Sequence, residues 1–182
     1  MDLREPHLGV SILSAVIAVV LQLTVAPAIT LFSVVPNFIL VAAVITAMRN
    51  SPVRSTLIGF FLGLVFDLCS LGPFGAMTLV LTIISYAVSS LNKGTFTGGV
   101  LVDVIILIAA VITGELLTSV IYAVAGANPQ FLLSLLLLVL PAIVYDTIIG
   151  IILMLIFNAI LGSRSDNTGI STGRSLSRKL LK

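Results

Sequence analysis

Four acidic residues, Asp67, Asp103, Glu115 and Asp146, stand inside long apolar runs. An ionisable group at bilayer depth is costly, so it faces a bundle interior, a water-filled cavity or a partner. Its chemistry is then proton or cation handling, hydrogen bonding between helices, or recognition of a partner's polar group. Asp67 falls about a turn from the outer end of the third run and Asp103 about a turn from the inner end of the fifth, within reach of interfacial water. Glu115 and Asp146 fall near the middle of the fifth and sixth runs, at comparable depth if those antiparallel segments pack together. With no Lys or Arg inside a span to pair with it, a carboxylate in hydrocarbon takes up a proton. Glu115 and Asp146 are therefore expected to be neutral hydrogen-bond donors that tie helices together. A proton or cation pathway and contact with a partner's intramembrane residue are the competing readings.

Other chemistry has no residues to carry it. His7, the one histidine, lies outside the first run, so neither a Ser/His dyad in the membrane nor a histidine zinc site can be assembled. No Gly-rich phosphate loop precedes a lysine-bearing helix, and no paired acidic motifs sit near an arginine. A single cysteine, Cys69, leaves no intramolecular disulfide or thiolate cluster. The sequence therefore predicts no enzyme activity, metal or cofactor.

The elements that position these acids are membrane helices. The 182-residue chain is 59% apolar and 9% charged, whereas charged residues make up about a quarter of a soluble domain. Six runs are legible: about Gly9 to Ala26, Asn37 to Met48, Val53 to Leu71, Phe74 to Leu91, Gly98 to Ala125 and Leu132 to Leu161. The second covers only about 18 Å at 1.5 Å per residue, against a hydrocarbon core of about 30 Å. It is expected to be short or broken, or to start near Ile29 and kink at Pro36. The fifth and sixth are long enough to tilt or kink, the sixth at Pro141, which has no N–H for its own turn.

All nine basic residues, namely Arg4, Arg49, Arg54, Lys93, Arg164, Arg174, Arg178, Lys179 and Lys182, lie in segments that six crossings place on one side. Basic short loops stay cytoplasmic, so both termini are expected inside the cell. The basic residues act as juxtamembrane anchors, which accounts for the pI near 9.0 without nucleic acid. The first run is too long for a signal peptide, and Asp2 and Glu5 flank Arg4, so no cleavage is expected at Ala26-Pro27-Ala28. Residues 1–161 read as one bundle and residues 162–182 as a basic tail, disordered in water. In the tail, Leu176 and Leu180 among four positive charges suit a short helix on anionic lipid headgroups.

Gly59, Gly63 and Asp67 follow one another at i, i+4 and i+8 on the third run. Small residues let helix backbones approach closely in lipid. This line is either an ordinary tight helix crossing or a partner interface, and a helix on the glycine groove also meets the carboxyl group. Ala43/Ala47 and Ser85/Ser89 repeat the spacing more weakly.

Gly59-Phe-Phe-Leu-Gly63-Leu-Val-Phe-Asp67, followed by Leu71-Gly-Pro-Phe-Gly75, resembles the bacterial rod shape-determining MreD family. Pro36-Asn37-Phe38 at the second run and Pro141 ahead of Tyr145 in the last also look like that family. The motifs span about residues 36 to 91, and the six-run plan extends the likeness to about Leu161; the serine- and arginine-rich tail is outside it. The resemblance implies a non-enzymatic component of the peptidoglycan elongation machinery in the bacterial cytoplasmic membrane. It implies association with the single-span protein MreC and, through it, with MreB and the wall synthases. It also implies a fold similar to the six-helix substrate-binding subunits of energy-coupling-factor vitamin transporters. Such a vitamin-binding subunit is the alternative function, but it needs an outer pocket with aromatic and polar groups. This chain has no Trp, three tyrosines (Tyr86, Tyr122 and Tyr145) and outer loops nearly devoid of hydrogen-bonding side chains.

Overall fold

The structure, a computed structural model, describes residues 8–31, 34–94, 99–127 and 131–161. The tail after residue 161, His7 and the connection around Asn128 lie outside the described residues. The helices are α1 (Leu8–Thr24), α2 (Phe38–Ala47), α3 (Pro52–Cys69), α4 (Ala76–Gly94), α5 (Gly99–Val124), α6 (Phe131–Ser134) and α7 (Leu140–Leu161). A π-helical segment, Leu135–Val139, makes α6 and α7 one continuous rod. The chain divides into two units, Met1–Ile152 and Leu153–Lys182, and the packing of interest lies within the first. Among the described residues, three helical stretches are long and apolar enough to cross a membrane: α3, α5 and the rod over Phe131–Asn158. The stretches Gly9–Thr24, Phe38–Ala47 and Ala76–Asn92 are apolar but shorter.

The burial pattern is that of a chain solvated by lipid. On α1, Ile12, Leu13, Val16, Ile17, Val20 and Leu23 face outward while Ser11, Ala18 and Gln22 are buried. On α3, Val53, Leu57, Phe61, Val65 and Leu68 face outward while Ser55, Gly59, Gly63 and Asp67 are buried. In water this arrangement would expose the apolar surface that folding normally removes. In hydrocarbon a large side chain loses nothing by facing out, and small or polar residues inside allow close approach and hydrogen bonds.

At the centre lies α2, all ten of whose residues are buried. It contacts α1, α3, α4 and α5. At 1.5 Å per residue it is only about 15 Å long. It does not run through Pro36: Asn37 is its N-cap, accepting from the Leu40 N–H at 3.1 Å, and Pro36 bars Val35 from helical geometry. The first helix likewise stops at Thr24, before a short 3-10 turn over Ala26–Ile29 that contains Pro27.

The most extensive helix pair is α3 with α4. A Cβ on Gly63 would stand 2.7 Å from the Met77 carbonyl oxygen, and one on Gly59 would stand 2.5 Å from that of Leu81. Backbone therefore lies against backbone along the glycine line. Gly75, at φ +87°, turns the chain into α4 in a conformation other residues resist. Asp67 then caps α4 from outside, accepting the Met77 N–H at 3.1 Å, the Thr78 N–H at 2.9 Å and the Thr78 hydroxyl at 2.6 Å. Two of the helix's orphan donors are satisfied this way.

Two details depart from the sequence reading. The strain expected at Pro141 is taken up just ahead of it, where the Leu140 N–H donates to the Leu135 carbonyl five residues back. A wider π turn accommodates the proline ring and the missing N–H. In addition, α3 takes in Arg54 and α4 takes in Lys93, so basic residues do occur within helices, at their ends.

Gly63→Ala should therefore force α3 and α4 apart and lower stability by about 1–3 kcal/mol, the cost of overpacking. Thermal unfolding in detergent checks this, with outward-facing Val65→Ala expected to match the parent.

Candidate functional site

Glu115 and Asp146 meet at the N-terminus of α2, where both accept from Asn37. Gly114, one residue before Glu115, lets α5 approach α2 so closely that a Cβ there would stand 2.8 Å from Leu40 Cδ1. Gly150, one turn after Asp146, does the same for α7 against α5, where a Cβ would stand 3.0 Å from Leu107 Cδ2.

Asn37 joins them. Its backbone N–H donates to Asp146 Oδ1 at 2.8 Å and its Nδ2 donates to Glu115 Oε1 at 3.2 Å, while its Oδ1 caps α2. Gln22 of α1 donates from Nε2 to the Pro36 carbonyl at 3.1 Å. The Tyr145 hydroxyl, beside Asp146, donates to the Ile29 carbonyl at 2.8 Å. Asp146 is only 1% exposed, and its Oδ2 has no N–H or O–H donor. The acids were expected to donate; in the structure Asn37 is a donor common to both. The peptide dipoles of α2 place positive potential at this end, so residual negative charge on the pair is favoured.

The other end of α2 is served by neutral groups. Asn92 donates from Nδ2 to the Met48 carbonyl, and Ser55 donates to that of Ala47 at 3.5 Å. Asn50 donates from Nδ2 to the Thr46 carbonyl at 2.8 Å and to Ser11 Oγ at 2.7 Å, and Ser89 donates to the Asn50 carbonyl at 2.6 Å. Helices α1, α3 and α4 each supply part of this C-terminal seat.

Of the residues singled out in the sequence, Glu115 and Asp146 come together, whereas Gly59, Gly63 and Asp67 belong to the separate α3–α4 contact, where α4 fills the glycine groove. Asp103 sits half-buried in the second turn of α5, apart from the pair by twelve residues of helix. Sequence reasoning missed Asn37 and Gln22 as site residues, together with Asn50, Ser89 and Asn92. The available signal was an amide on each side of the ten-residue apolar stretch that forms α2. Among the described residues no group of three or more His, Cys, Asp or Glu is placed to hold a metal ion. A groove of about 270 Å³ between α4 and α5, lined by Ile84, Val88, Leu91, Ile105 and Ala109, has Thr113 as its one polar lining residue.

Asn37→Ala removes the cap and the Glu115 bond together and should lower stability by about 1–3 kcal/mol. Asn37→Asp keeps a capping acceptor but sets a third carboxyl group beside the pair. It should unfold at a lower temperature than Asn37→Ala in detergent; a role in capping alone would give the opposite order.

No curated protein and no solved structure matches the chain. The family model described as rod shape-determining protein MreD matches residues 6–163, a range that takes in every helix from α1 to α7. This membrane protein therefore belongs to the rod shape-determining protein MreD family.

Proposed function

We propose that this chain is a non-enzymatic, multi-pass component of the bacterial cell-elongation machinery in the cytoplasmic membrane. It crosses six times with both termini inside and helps organise peptidoglycan synthesis by holding a single-span, MreC-like partner, with MreB and the wall synthases reached indirectly. The observation that carries this reading is family membership, which makes rod shape determination the role. The burial pattern supports it: buried polar groups are spent on seating α2 and capping α4, and the outward faces are apolar and helical. Such faces suit another membrane helix, with van der Waals packing as the main source of affinity. Gly59, Gly63 and Asp67 serve the partner indirectly, by fixing α4 against α3 and so shaping the surface around Leu57, Phe61 and Leu68. On this reading the fold is similar in kind to the six-helix substrate-binding subunits of vitamin transporters. The basic tail tethers loosely to anionic headgroups.

Depleting the protein in a rod-shaped bacterium should turn rods into spheres, and affinity purification in mild detergent should retain a single-span partner. Rods that persist without the protein would overturn the role. For topology, cysteines placed at Lys93 and Asn128 should label from opposite sides of the membrane, with Lys93 cytoplasmic.

A further inference from the structure

The site at the start of α2 carries a ligand assignment that stands on packing alone, apart from any partner. Two buried acceptors there have no donor: Asp146 Oδ2 and Gln22 Oε1, in residues 1% and 8% exposed. They belong to side chains that hold adjacent residues, since Gln22 bonds Pro36 and Asp146 bonds Asn37. Asn37 supplies one hydrogen bond to each carboxyl group, which leaves one oxygen of Asp146 facing an environment that already contains Glu115. Two carboxylates this close repel, and a single proton between them removes the repulsion and supplies the missing donor.

We propose that Glu115 and Asp146 hold one exchangeable proton between them, in a site closed by Asn37 and Gln22 at the positive end of α2. One proton fits better than none or two. With none, two like charges meet and Asp146 Oδ2 stays unsatisfied. With two, the pair loses the negative charge that the N-terminal end of α2 favours, and the second hydroxyl has only Gln22 Oε1, the other unpartnered acceptor, to turn to. One proton leaves a single negative charge, which the N-terminal dipole of α2 favours. Among the described residues, the groups that bond around the site do not supply a competing cation. Gln22 from α1 and Asn37 from α2 are uncharged, and Tyr145 on α7 is committed to Ile29.

Infrared spectroscopy of the full chain in lipid vesicles at neutral pH tests the assignment. The wild type should show one protonated-carboxyl carbonyl band that shifts on deuteration and is absent from both Glu115→Gln and Asp146→Asn. If each variant loses only half of the band intensity, two neutral acids are present and the proposal fails. It also fails if the wild type shows no such band, or if sodium or potassium at constant pH perturbs carboxylate bands in the wild type and not in the variants. Should either variant not fold, the calibrated intensity in the wild type still distinguishes zero, one and two protons.

Discussion

A helix end buried away from water must find partners for its free N–H and C=O groups, and α2 has both of its ends inside protein. That requirement organises the molecule. Polar side chains from five other helices answer the terminal groups of α2 or the residues flanking it. Gln22 and Ser11 come from α1, Ser55 from α3, Ser89 and Asn92 from α4, Glu115 from α5 and Asp146 from α7. The central helix is therefore less a contributor of hydrophobic stability than a peg whose two sockets specify how its neighbours are arranged. In lipid, where apolar contact between helices has no advantage over contact with acyl chains, this hydrogen-bond specificity does what a hydrophobic core does in water.

The same problem is solved twice, by different means. For α4 the answer is local: a glycine line draws α3 alongside, and Asp67, at the end of that line, caps the next helix ten residues downstream. The whole device lies within one hairpin. For α2 the cap is local but its anchor is remote, because the capping Asn37 is itself held by Glu115 and Asp146 across sequence separations of 78 and 109 residues. A local cap makes a self-contained unit, whereas a remote anchor makes the unit depend on the entire bundle.

That difference explains what the sequence could and could not disclose. The helix class, the short second helix and the line of Gly59, Gly63 and Asp67 along one helix were readable because each depends on composition or on spacing within a segment. The starting point of α2 at Phe38 was not, since Pro36 allows either a kink or a fresh start, and only the Asn37 cap decides. Nor was the π turn before Pro141, because a missing N–H can be accommodated by bending or by widening the helix. Asn37 escaped notice as a site residue for the same reason: which groups a side-chain amide bridges is set by helices that arrive much later in the chain.

Timing gives the remote socket a consequence for biogenesis. As synthesis proceeds from the N-terminus, α2 leaves the ribosome long before Glu115 and Asp146 exist, so the backbone N–H and Nδ2 group of its cap, Asn37, have no permanent partners and must be sheltered provisionally by water, lipid headgroups or the insertion machinery. The second helix can settle only after the last one has entered. A nascent chain stopped short of α7 would thus lack more than its final span; it would leave the centre of the bundle unseated and recognisable to quality-control proteases as unfinished.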